Sequence, residues 1–554
     1  MFDTAEEIIG LRDRERTDQA TFRSMWQETA DLVFPRENQI TSTSEPGTSR
    51  TAEIYDTTAR FDSKDMASDM SSAIIAAGRE FFGLGVQDQD LMNVETVSRY
   101  LSFATEVLHE DMLGSNFMLQ FNESLRSLHV FGTCNLFTEW GFVRPKEEER
   151  QEGGLNYKDF DIAMYQILEN AEGRVDNMIL SFILTARQSA QKFGVDNLGD
   201  LLRKALEKPE TQNEPFEFIH YVGPREDGNP RFADSRNMPF RSVFVDVKDK
   251  LIVEEGGFRE FPFAVARWSK SSSEKYGRGI GTEILPVVRT IQQVWRDFVE
   301  CGNRHNNPPR EVLDTFEGIV DMTPGATNFV QEMGSIKAVE GGLLGNFPIN
   351  EKVMEFLQGI IHKAFFRDIF AQLMNLTGDR RTTVEIRERI KEGLRRLASP
   401  MARMQAELLD PTITRSLLLE IRNGKLPPPP PELAGQELTI EYKGELALAL
   451  RDQQAKGFLQ FASVLSEVAA FYPGAIDILE FDDGLRDVAR SQGVKTRHIA
   501  TDESVAAKRE ARQQQMAAQQ ALELGAAAAQ AAGQTSKAPE EGSPAAEVMA
   551  ALKE

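Results

Sequence analysis

Two segments with apolar residues at helical spacing, joined by a polar break, constrain the fold of this chain more than any other stretch. The first runs from Val353 to Phe370 and predicts a helix with a broad apolar face. The second repeats apolar residues at alternating steps of four and three: Ile390, Leu394, Leu397, Met401, Met404 and Leu408. Such a heptad-like pattern favours the packing of one helix on another.

The break between the two segments, residues 375–383, combines helix-breaking residues with positive charge. Gly378 and Asp379 interrupt the helical pattern, and Arg380 and Arg381 place paired charges at the bend. On these residues alone, the stretch is typical of a helical hairpin with a solvated turn.

The overall charge limits the classes of partner. The 554 residues are enough for two to four domains. Asp and Glu number 86 against 63 Lys and Arg, a net charge of −23. This balance argues against a surface that holds nucleic acid tightly, because such binding needs clustered cations. It leaves room for a protein that contacts DNA locally and lets it slide.

The remaining composition argues against a metal centre, secretion or a membrane span. Cys134 and Cys301 are far apart in sequence and form no metal-binding motif, which predicts two free thiols in a reducing compartment. The N-terminus lacks the features of a signal peptide, and no window approaches about 18 uninterrupted apolar residues. We expect a protein without cofactor, metal or membrane contact that works in cytoplasm or in something assembled there.

Along the chain, the patterns predict a mostly helical α+β protein. Helices are expected over residues 4–34, 57–77, 95–113 and 117–131, strands between about 135 and 268, and a helix capped by Thr282 and running to Asn306. A small β-rich insertion follows at 310–348, and Pro400 and Pro411 should kink or divide the second apolar helix. A five-proline spacer, 427–431, precedes a strand at 438–442, helices over 447–471 and 475–491, and an Ala/Gln-rich helix over 503–524.

The motifs of common enzymes are absent from the sequence. No phosphate-binding loop, zinc-protease or serine-hydrolase motif occurs, and the six histidines show no ligand spacing. Residues 276–281, which carry three glycines ahead of a helix, could hold an anion, but a tight turn that admits close packing explains them better. Val243–Asp246 resembles a metal-binding strand end of ATPases, yet an ordinary strand end is the simpler interpretation. The chain does not look like an enzyme.

Two ordered sets of short segments carry a family resemblance. The first set is Ile54–Ala59, Met66–Ala73 and Gly78–Leu84, and the second is Arg267–Lys270 with Tyr276–Gly279 and the helix that follows. Together they resemble the signatures of the head-to-tail connector, or portal, proteins of short-tailed, T7-like bacteriophages (podoviruses). The similarity extends over roughly residues 5–525.

The resemblance implies an α+β, mostly helical portal fold assembled as a ring, and it implies a division of the chain into parts. These are a wing (1–279), a first stem helix (280–307), a clip (308–348), a second stem helix (349–371), a tunnel loop (372–383), a long kinked wing helix with the proline-rich spacer (384–437), a crown (438–501), a barrel helix (502–530) and a disordered tail (531–554).

The resemblance also implies a function. Twelve copies of the chain would form a ring at one capsid vertex, and double-stranded DNA would be packaged and ejected through this ring. Its implied partners are terminase, a tail adaptor protein, and capsid and scaffolding proteins. The expected location is the virion, with assembly in the host cytoplasm.

The implied channel residues follow from the position of the tunnel loop and the helix after it. They are Arg380, Arg381, Thr382, Thr383, Arg387 and Lys391. Arg387 and Lys391 could form a stripe with Arg395, although the interleaved glutamates favour a solvated helix face. A mostly acidic wall with sparse arginines would let DNA move.

Two other functions remain open at this point. One is another oligomeric virion component, such as a tail or adaptor protein, which would also be acidic. The other is a nucleic-acid-processing enzyme whose site has no recognisable motif.

Overall fold

The fold is described from a computed structural model. It describes residues 4–43, 45, 47–51, 54–75, 80–88, 91–92, 94–142, 153–226, 234–306, 310–312, 336–338, 347–374, 396–443, 458–469, 471–472, 474, 478–491, 500 and 502–534. These residues fall into two compact units, the first mainly within 1–81 and 106–427 and the second within 82–105, 428–443 and 451–554.

The named helices, in chain order, are α1 (Ala5–Asp18), α2 (Ala20–Val33), α3 (Thr58–Ile74), α4 (Glu95–Gly114), α5 (Phe117–Phe131), α6 (Ala186–Phe193), α7 (Asp200–Glu207), α8 (Ile280–Glu283), α9 (Leu285–Asn306), α10 (Phe347–Ala364), α11 (Arg367–Met374), α12 (Asp410–Arg422), α13 (Phe481–Ser491) and α14 (Asp502–Gln534). Residues 396–404 and 458–469 are also helical.

The strands are β1 (Phe82–Val86), β2 (Thr133–Phe142), β3 (Gly153–Lys158), β4 (Tyr165–Glu169), β5 (Val175–Thr185), β6 (Pro215–Pro224), β7 (Phe240–Asp246), β8 (Leu251–Phe258), β9 (Phe263–Arg267), β10 (Arg310–Val312), β11 (Ile336–Ala338) and β12 (Leu438–Tyr442). They form an antiparallel five-stranded sheet in the order β4-β5-β6-β7-β8, a three-stranded sheet in the order β3-β2-β9, and the pairs β10-β11 and β1-β12.

The five-stranded sheet is covered on both faces, as its alternating side chains require. Ile219 and Tyr221 of β6 pack against α1 through residues that include Ile8. Phe216 and Phe218, which alternate with them, pack against α6 and α7. Burying a large apolar side chain contributes about 1.5–3 kcal/mol, so both helix layers stabilise the sheet.

The three-stranded sheet anchors one helix that precedes it in sequence and one that follows it. α5 and α12 both contact β2. The Tyr157 hydroxyl of β3 lies 2.8 Å from the Ser416 hydroxyl of α12, and Arg415 donates from Nε to the Thr138 carbonyl at 2.8 Å. These buried hydrogen bonds fix α12 on the sheet, since an unpaired polar group there would be costly.

Local signals placed most of these elements correctly. The strands predicted between 135 and 268 are confirmed as β2 and β4 to β9. α6 begins with a Thr185 capping box and ends at Gly194 with φ +78°, as its sequence indicates. No comparable local signal predicted β3 or α7.

The predicted helix boundaries differ from the structure at several points. The expected helix over 4–34 is two helices that meet at Gln19. Thr282 is not the cap predicted for the long helix: its hydroxyl donates to the Gly279 carbonyl inside the short α8, and α9 begins at Leu285. The Ala/Gln-rich helix continues to Gln534, beyond the predicted end.

The helix that carries the heptad-like pattern changes its geometry before Pro411. Leu397, Met401, Met404 and Leu408 are all buried, as predicted. Residues Gln405–Leu409 form a π-helical turn that leads into α12, which has Pro411 in its first turn. A proline lacks the N–H that would continue the α-helical ladder, so a break there is expected. At Pro400 the backbone stays helical.

The second unit contains the β1-β12 pair and the helices α13 and α14. β1 pairs with β12 over the register from Phe82–Tyr442 to Val86–Leu438. Asp482 of α13 accepts a hydrogen bond from Arg509 of α14 at 2.6 Å. The predicted strand at 438–442 is confirmed, but its partner was not predicted from sequence.

The observed architecture is mixed helix and sheet, which confirms the expected α+β class. Both cysteines are free. Among the described residues, no helix has the length and apolar character needed to cross a bilayer.

Candidate functional site

The helix pair α9–α10 is the central feature of the candidate site. The two helices pack on each other, and α10 and the short α11 both contact α3. Val288, Ile291, Ile361, Phe365 and Phe370 are buried in or beside this junction. The pair is therefore rooted on α3 by an apolar core.

A glutamine of α9 binds the backbone that leads into α3. The Gln292 carboxamide oxygen accepts hydrogen bonds from the N–H groups of Tyr55 and Asp56 at 2.8 and 2.9 Å. Its Nε2 donates to the Asp56 carbonyl at 2.7 Å. Three hydrogen bonds from one side chain thus fix the first signature segment, residues 54–59, to α9.

The Asp56 carboxylate extends this junction to α10. Its Oδ1 accepts from the Thr58 N–H at 2.9 Å at the start of α3, where free N–H groups favour an acidic partner. Its Oδ2 accepts from the Thr58 hydroxyl and from Nε2 of Gln358 on α10, at 3.1 and 2.9 Å. Asp56 is buried, so it joins α3 to α10 away from water.

A second aspartate, Asp62 of α3, binds the C-terminal end of α10. The Asp62 carboxylate has no exposed surface and lies 2.5 Å from Nδ1 of His362 and 2.8 Å from Arg367. Burial raises the pKa of Asp62, although hydrogen bonds and charge from His362 and Arg367 act in the opposite direction. Asp62 therefore holds α10 and α11 together on α3.

The backbone turns sharply between α10 and α11. Phe366 has φ +55°, a left-handed conformation that costs a non-glycine residue about 1–3 kcal/mol. Phe365 and Phe370, on either side of it, are buried. Their burial, with the Asp62 contacts, stabilises a turn that replaces the single helix predicted over 349–371.

The second signature segment, residues 267–281, is built on close contact between backbones. A Cβ atom on Gly277 would lie 2.2 Å from the Gly132 carbonyl oxygen, and one on Gly279 would lie 2.6 Å from the His129 carbonyl oxygen. Gly132 itself ends α5 with φ +91°. The glycines therefore allow the backbone of this segment to pack directly against the backbone at the end of α5. This confirms the prediction that residues 276–281 form a tight turn that admits close packing.

Arg267, at the start of the same segment, is the centre of a buried ion-pair cluster. Its guanidinium donates to both carboxylate oxygens of Glu407, at 3.2 and 2.8 Å, and also to Glu169. Glu407 lies in the π-helical turn before α12. A bidentate pair of this kind is strong and directional, so it fixes the π-helical turn against β9.

The other candidate site from the sequence is structural. Asp246 ends β7, and its Oδ1 accepts from the Lys248 N–H at 2.9 Å. It is an ordinary strand end. In the part of the chain that the structure describes, no group of three His, Cys, Asp or Glu residues could hold a metal ion.

The predicted channel residues cannot be compared with this geometry. Arg380, Arg381, Thr382, Thr383, Arg387 and Lys391 lie outside the described residues. The described chain ends with α11 before that segment and resumes as a helix at residue 396. The described element that directly precedes these residues in sequence is α11, which packs on α3.

Comparison with known proteins gives this architecture a family. The family model described as bacteriophage head to tail connecting protein matches residues 5–499. The chain belongs to this family. A head-to-tail connecting protein is a structural, non-enzymatic component of the phage virion, assembled with head and tail components.

Two relatives agree with this membership. The chain is 27% identical over 539 residues to the portal protein of Salmonella phage epsilon15, covering 95% of this chain and 94% of the relative. It is 26% identical over 520 residues to the probable portal protein of Bordetella phage BPP-1, covering 92% and 91%. The resemblance to the connectors of short-tailed phages is therefore confirmed.

The sequence revealed the signature segments of this connector but not the side chains that bind them. Asp56 and Thr58 lie inside the first signature segment, which was the available signal. No sequence signal identified Gln292, Gln358 or His362, because a single amide or imidazole side chain on a helix does not form a motif. Their roles depend on contacts between residues more than 200 positions apart.

Proposed function

We propose that this connector assembles as a ring of twelve copies that forms the channel for double-stranded DNA at one capsid vertex. The match to head-to-tail connecting proteins over residues 5–499 is the observation that carries the proposal. In this proposal, α9 and α10 lie in the stem helices, 280–307 and 349–371. Residues 308–348 form the clip that terminase and later the tail adaptor bind.

Exposed apolar side chains on the helix pair support assembly. Phe356 of α10 is 68% exposed, although it belongs to the apolar face predicted from sequence, and Val353 and Val299 are also exposed. Exposed apolar side chains of this size gain free energy when a second surface covers them. Neighbouring helix pairs in a ring would provide that surface.

The charge of the chain supports a channel that does not bind DNA tightly. A net charge of −23 on each copy repels phosphate at long range. Sparse cations in the tunnel loop, Arg380 and Arg381, would then contact the DNA backbone without stalling it. The adjacent Thr382, Thr383, Arg387 and Lys391 complete the proposed contact set.

Imaging of the purified protein tests the ring directly. Negative-stain class averages should show a twelve-fold ring with a central hole, and light scattering should give a mass twelve times that of the 62.1 kDa chain. A protein that stays monomeric, or particles without a hole, would contradict the proposal.

The tunnel loop is tested by reversing its charges. Arg380→Glu with Arg381→Glu should leave rings intact and reduce packaged or retained genome in assembled phage, because the lumen would repel phosphate. Lys204→Glu with Lys208→Glu, two exposed cations in and just after α7, makes the same charge change outside the proposed channel. Equal genome content for both double variants would remove the loop from the mechanism.

A further inference from the structure

A cation-lined pocket in the first unit has no part in the contacts described above. It has a volume of about 300 Å³ and lies where the chain leaves α2, between α3 and α5. Its lining includes Arg36, Arg60, Lys64 and Arg126, with Glu123 as its carboxylate. The chain as a whole has a net charge of −23, whereas the residues that line this cavity have a net positive charge.

Among the described residues, only one of these four cations forms an ion pair. Arg36 donates to Glu123 at 2.9 Å. Within the described part of the chain, no carboxylate lies within ion-pair distance of Arg60, Lys64 or Arg126. The Arg126 guanidinium lies 3.9 Å from the centre of the Phe34 ring, and its buried Nε has no hydrogen-bond partner. Buried donors are normally satisfied, and within the described residues this N–H has no acceptor, so it is available to an anionic group from outside.

The nearest buried acid does not cancel the charge. Glu37, which follows the lining residue Arg36 in sequence, accepts a hydrogen bond from Ser127 at 3.4 Å. Burial, together with the charges of Asp161 and Asp159, raises the pKa of Glu37 well above its usual range. Its carboxyl group therefore tends towards the neutral form, which leaves the cations in excess.

The rim of the pocket has the composition of a protein-binding site. The Phe61 ring, between Arg60 and Lys64 on α3, is 53% exposed. Aromatic rings and arginines are enriched among the residues that contribute most to protein–protein binding. A negatively charged polypeptide with an apolar neighbour would match both features.

We infer that this pocket receives an acidic segment from the adjacent copy of this chain, with the partner carboxylate among Arg60, Lys64 and Arg126. The inference rests on the proposed ring, since only an assembly brings a second copy to the pocket. Each copy carries 86 acidic residues, so its surface supplies the complementary charge. Complementary charge across an interface chiefly sets register and specificity.

Zero-length cross-linking tests the contact. A carbodiimide joins a lysine amine to a carboxylate that touches it. Rings formed from mixed isotope-labelled and unlabelled copies should yield Lys64 peptides linked to an Asp or Glu of the other isotope. Lys64→Arg, which keeps the charge but cannot couple, should abolish those peptides. Intact rings without any inter-copy link at Lys64 would overturn the inference.

Charge reversal tests its contribution to assembly. Arg60→Glu with Lys64→Glu should raise the protein concentration needed for ring formation roughly tenfold, as loss of a close charge pair does. Lys204→Glu with Lys208→Glu is the control with equal charge change, and it should assemble like the unmodified chain. Unfolding temperatures of both variants exclude misfolding as the cause.

The remaining outcomes separate this inference from the proposed function. If the unmodified chain forms no ring, the proposed function fails and this contact fails with it. If rings form and the Arg60/Lys64 variant assembles normally, only the pocket contact is wrong. If that variant assembles normally but binds duplex DNA or inorganic phosphate more weakly, the pocket holds phosphate and the inference is again overturned.

Discussion

The two signature segments of this connector join distant parts of the chain by opposite means. Residues 54–59 use polar side-chain atoms: Asp56 and Gln292 satisfy backbone groups and reach α10 through Gln358. Residues 276–281 use the absence of side chains, because glycines let two backbones touch. Loss of a polar contact leaves a gap that water or relaxation can partly repair, whereas a Cβ between two backbones cannot be accommodated.

The largest effect is therefore expected at the glycine crossing. In Gly132→Ala, the new Cβ would lie 2.3 Å from the Arg278 carbonyl carbon while φ stays near +91°. Overpacking against backbone and left-handed strain add, for a destabilisation of about 5 kcal/mol. Urea unfolding monitored by tryptophan fluorescence measures it, provided that the variant folds at all.

A second glycine separates the two contributions. Gly424 has φ +76°, and a Cβ added there would meet no atom within 4 Å, so Gly424→Ala tests left-handed strain alone. We expect a cost of about 1 kcal/mol. Similar losses for both variants would show that close packing at Gly132 contributes little.

The buried ion pair of the second signature segment should give the next largest effect. Arg267→Ala removes a buried guanidinium from two partly buried carboxylates, Glu407, which loses this ion pair, and Glu169, which keeps its pair with Lys270, at a cost of about 2–3 kcal/mol. Arg278→Ala in the same segment removes the more exposed pair with Glu274 and should cost about 0–1 kcal/mol. Thermal unfolding of the two variants compares them, and equal midpoints would rule out a central role for Arg267.

Glu420 of α12 shows what happens to a buried carboxyl group without such an arginine. Burial, followed by the hydrogen bond and the charge of the neighbouring Asp111 carboxyl group, raises the pKa of Glu420 to about 8. The folded state therefore binds a proton that the unfolded state releases above its ordinary pKa of 4.5. The contribution of Glu420 to stability should fall with rising pH between about 4.5 and 8, by about 1.4 kcal/mol per pH unit.

Glu420→Gln should make the pH slope shallower by about 1.4 kcal/mol per pH unit, the share of Glu420, and stabilise the protein at pH 8. Glu407→Gln should instead destabilise it at the same pH, because it weakens the pair with Arg267. Unfolding midpoints at pH 5, 6.5 and 8 check both signs. A Glu420→Gln variant with the same pH slope as the unmodified chain would falsify the assignment.

How far the sequence predicts this molecule depends on how local each determinant is. The capping box at Thr185 and the glycine at 194 lie beside the helix that they delimit, so α6 was predictable. The turn at Phe366 has no glycine or proline to announce it. The residues on either side of it, His362 and Arg367, contact Asp62, about 300 positions away. The pairing of β1 with β12 is long-range in the same way.

Within the candidate site, too, the local features were predictable from sequence and the long-range contacts were not. The signature segments were visible as short motifs, but their binding partners on α9 and α10 were single amides and an imidazole without a pattern. The burial predicted at Phe356 is absent in one copy, because periodicity identifies an apolar face without saying which molecule covers it. The proposed channel residues, Arg380 and Arg381 foremost, stay a prediction.

The smallest effect is expected at the polar junction of the first signature segment. Asp56→Ala removes the acceptor for the Thr58 N–H and for Gln358, and should destabilise the protein by about 1–2 kcal/mol. Asp65→Ala, an exposed aspartate on the same helix, should change stability by less than about 0.5 kcal/mol.

A double-mutant cycle isolates the part of that loss that joins α3 to α10. Gln358→Ala alone should cost about 1 kcal/mol, and the double variant with Asp56→Ala should cost less than the sum, with a coupling of about 0.5–1.5 kcal/mol. Additive losses would mean that Asp56 acts only through its hydrogen bonds with Thr58 at the start of α3. The Asp56 carboxylate would then stabilise only the start of α3. The attachment of α9 and α10 to α3 would depend on the contacts of Gln292 and Asp62 instead.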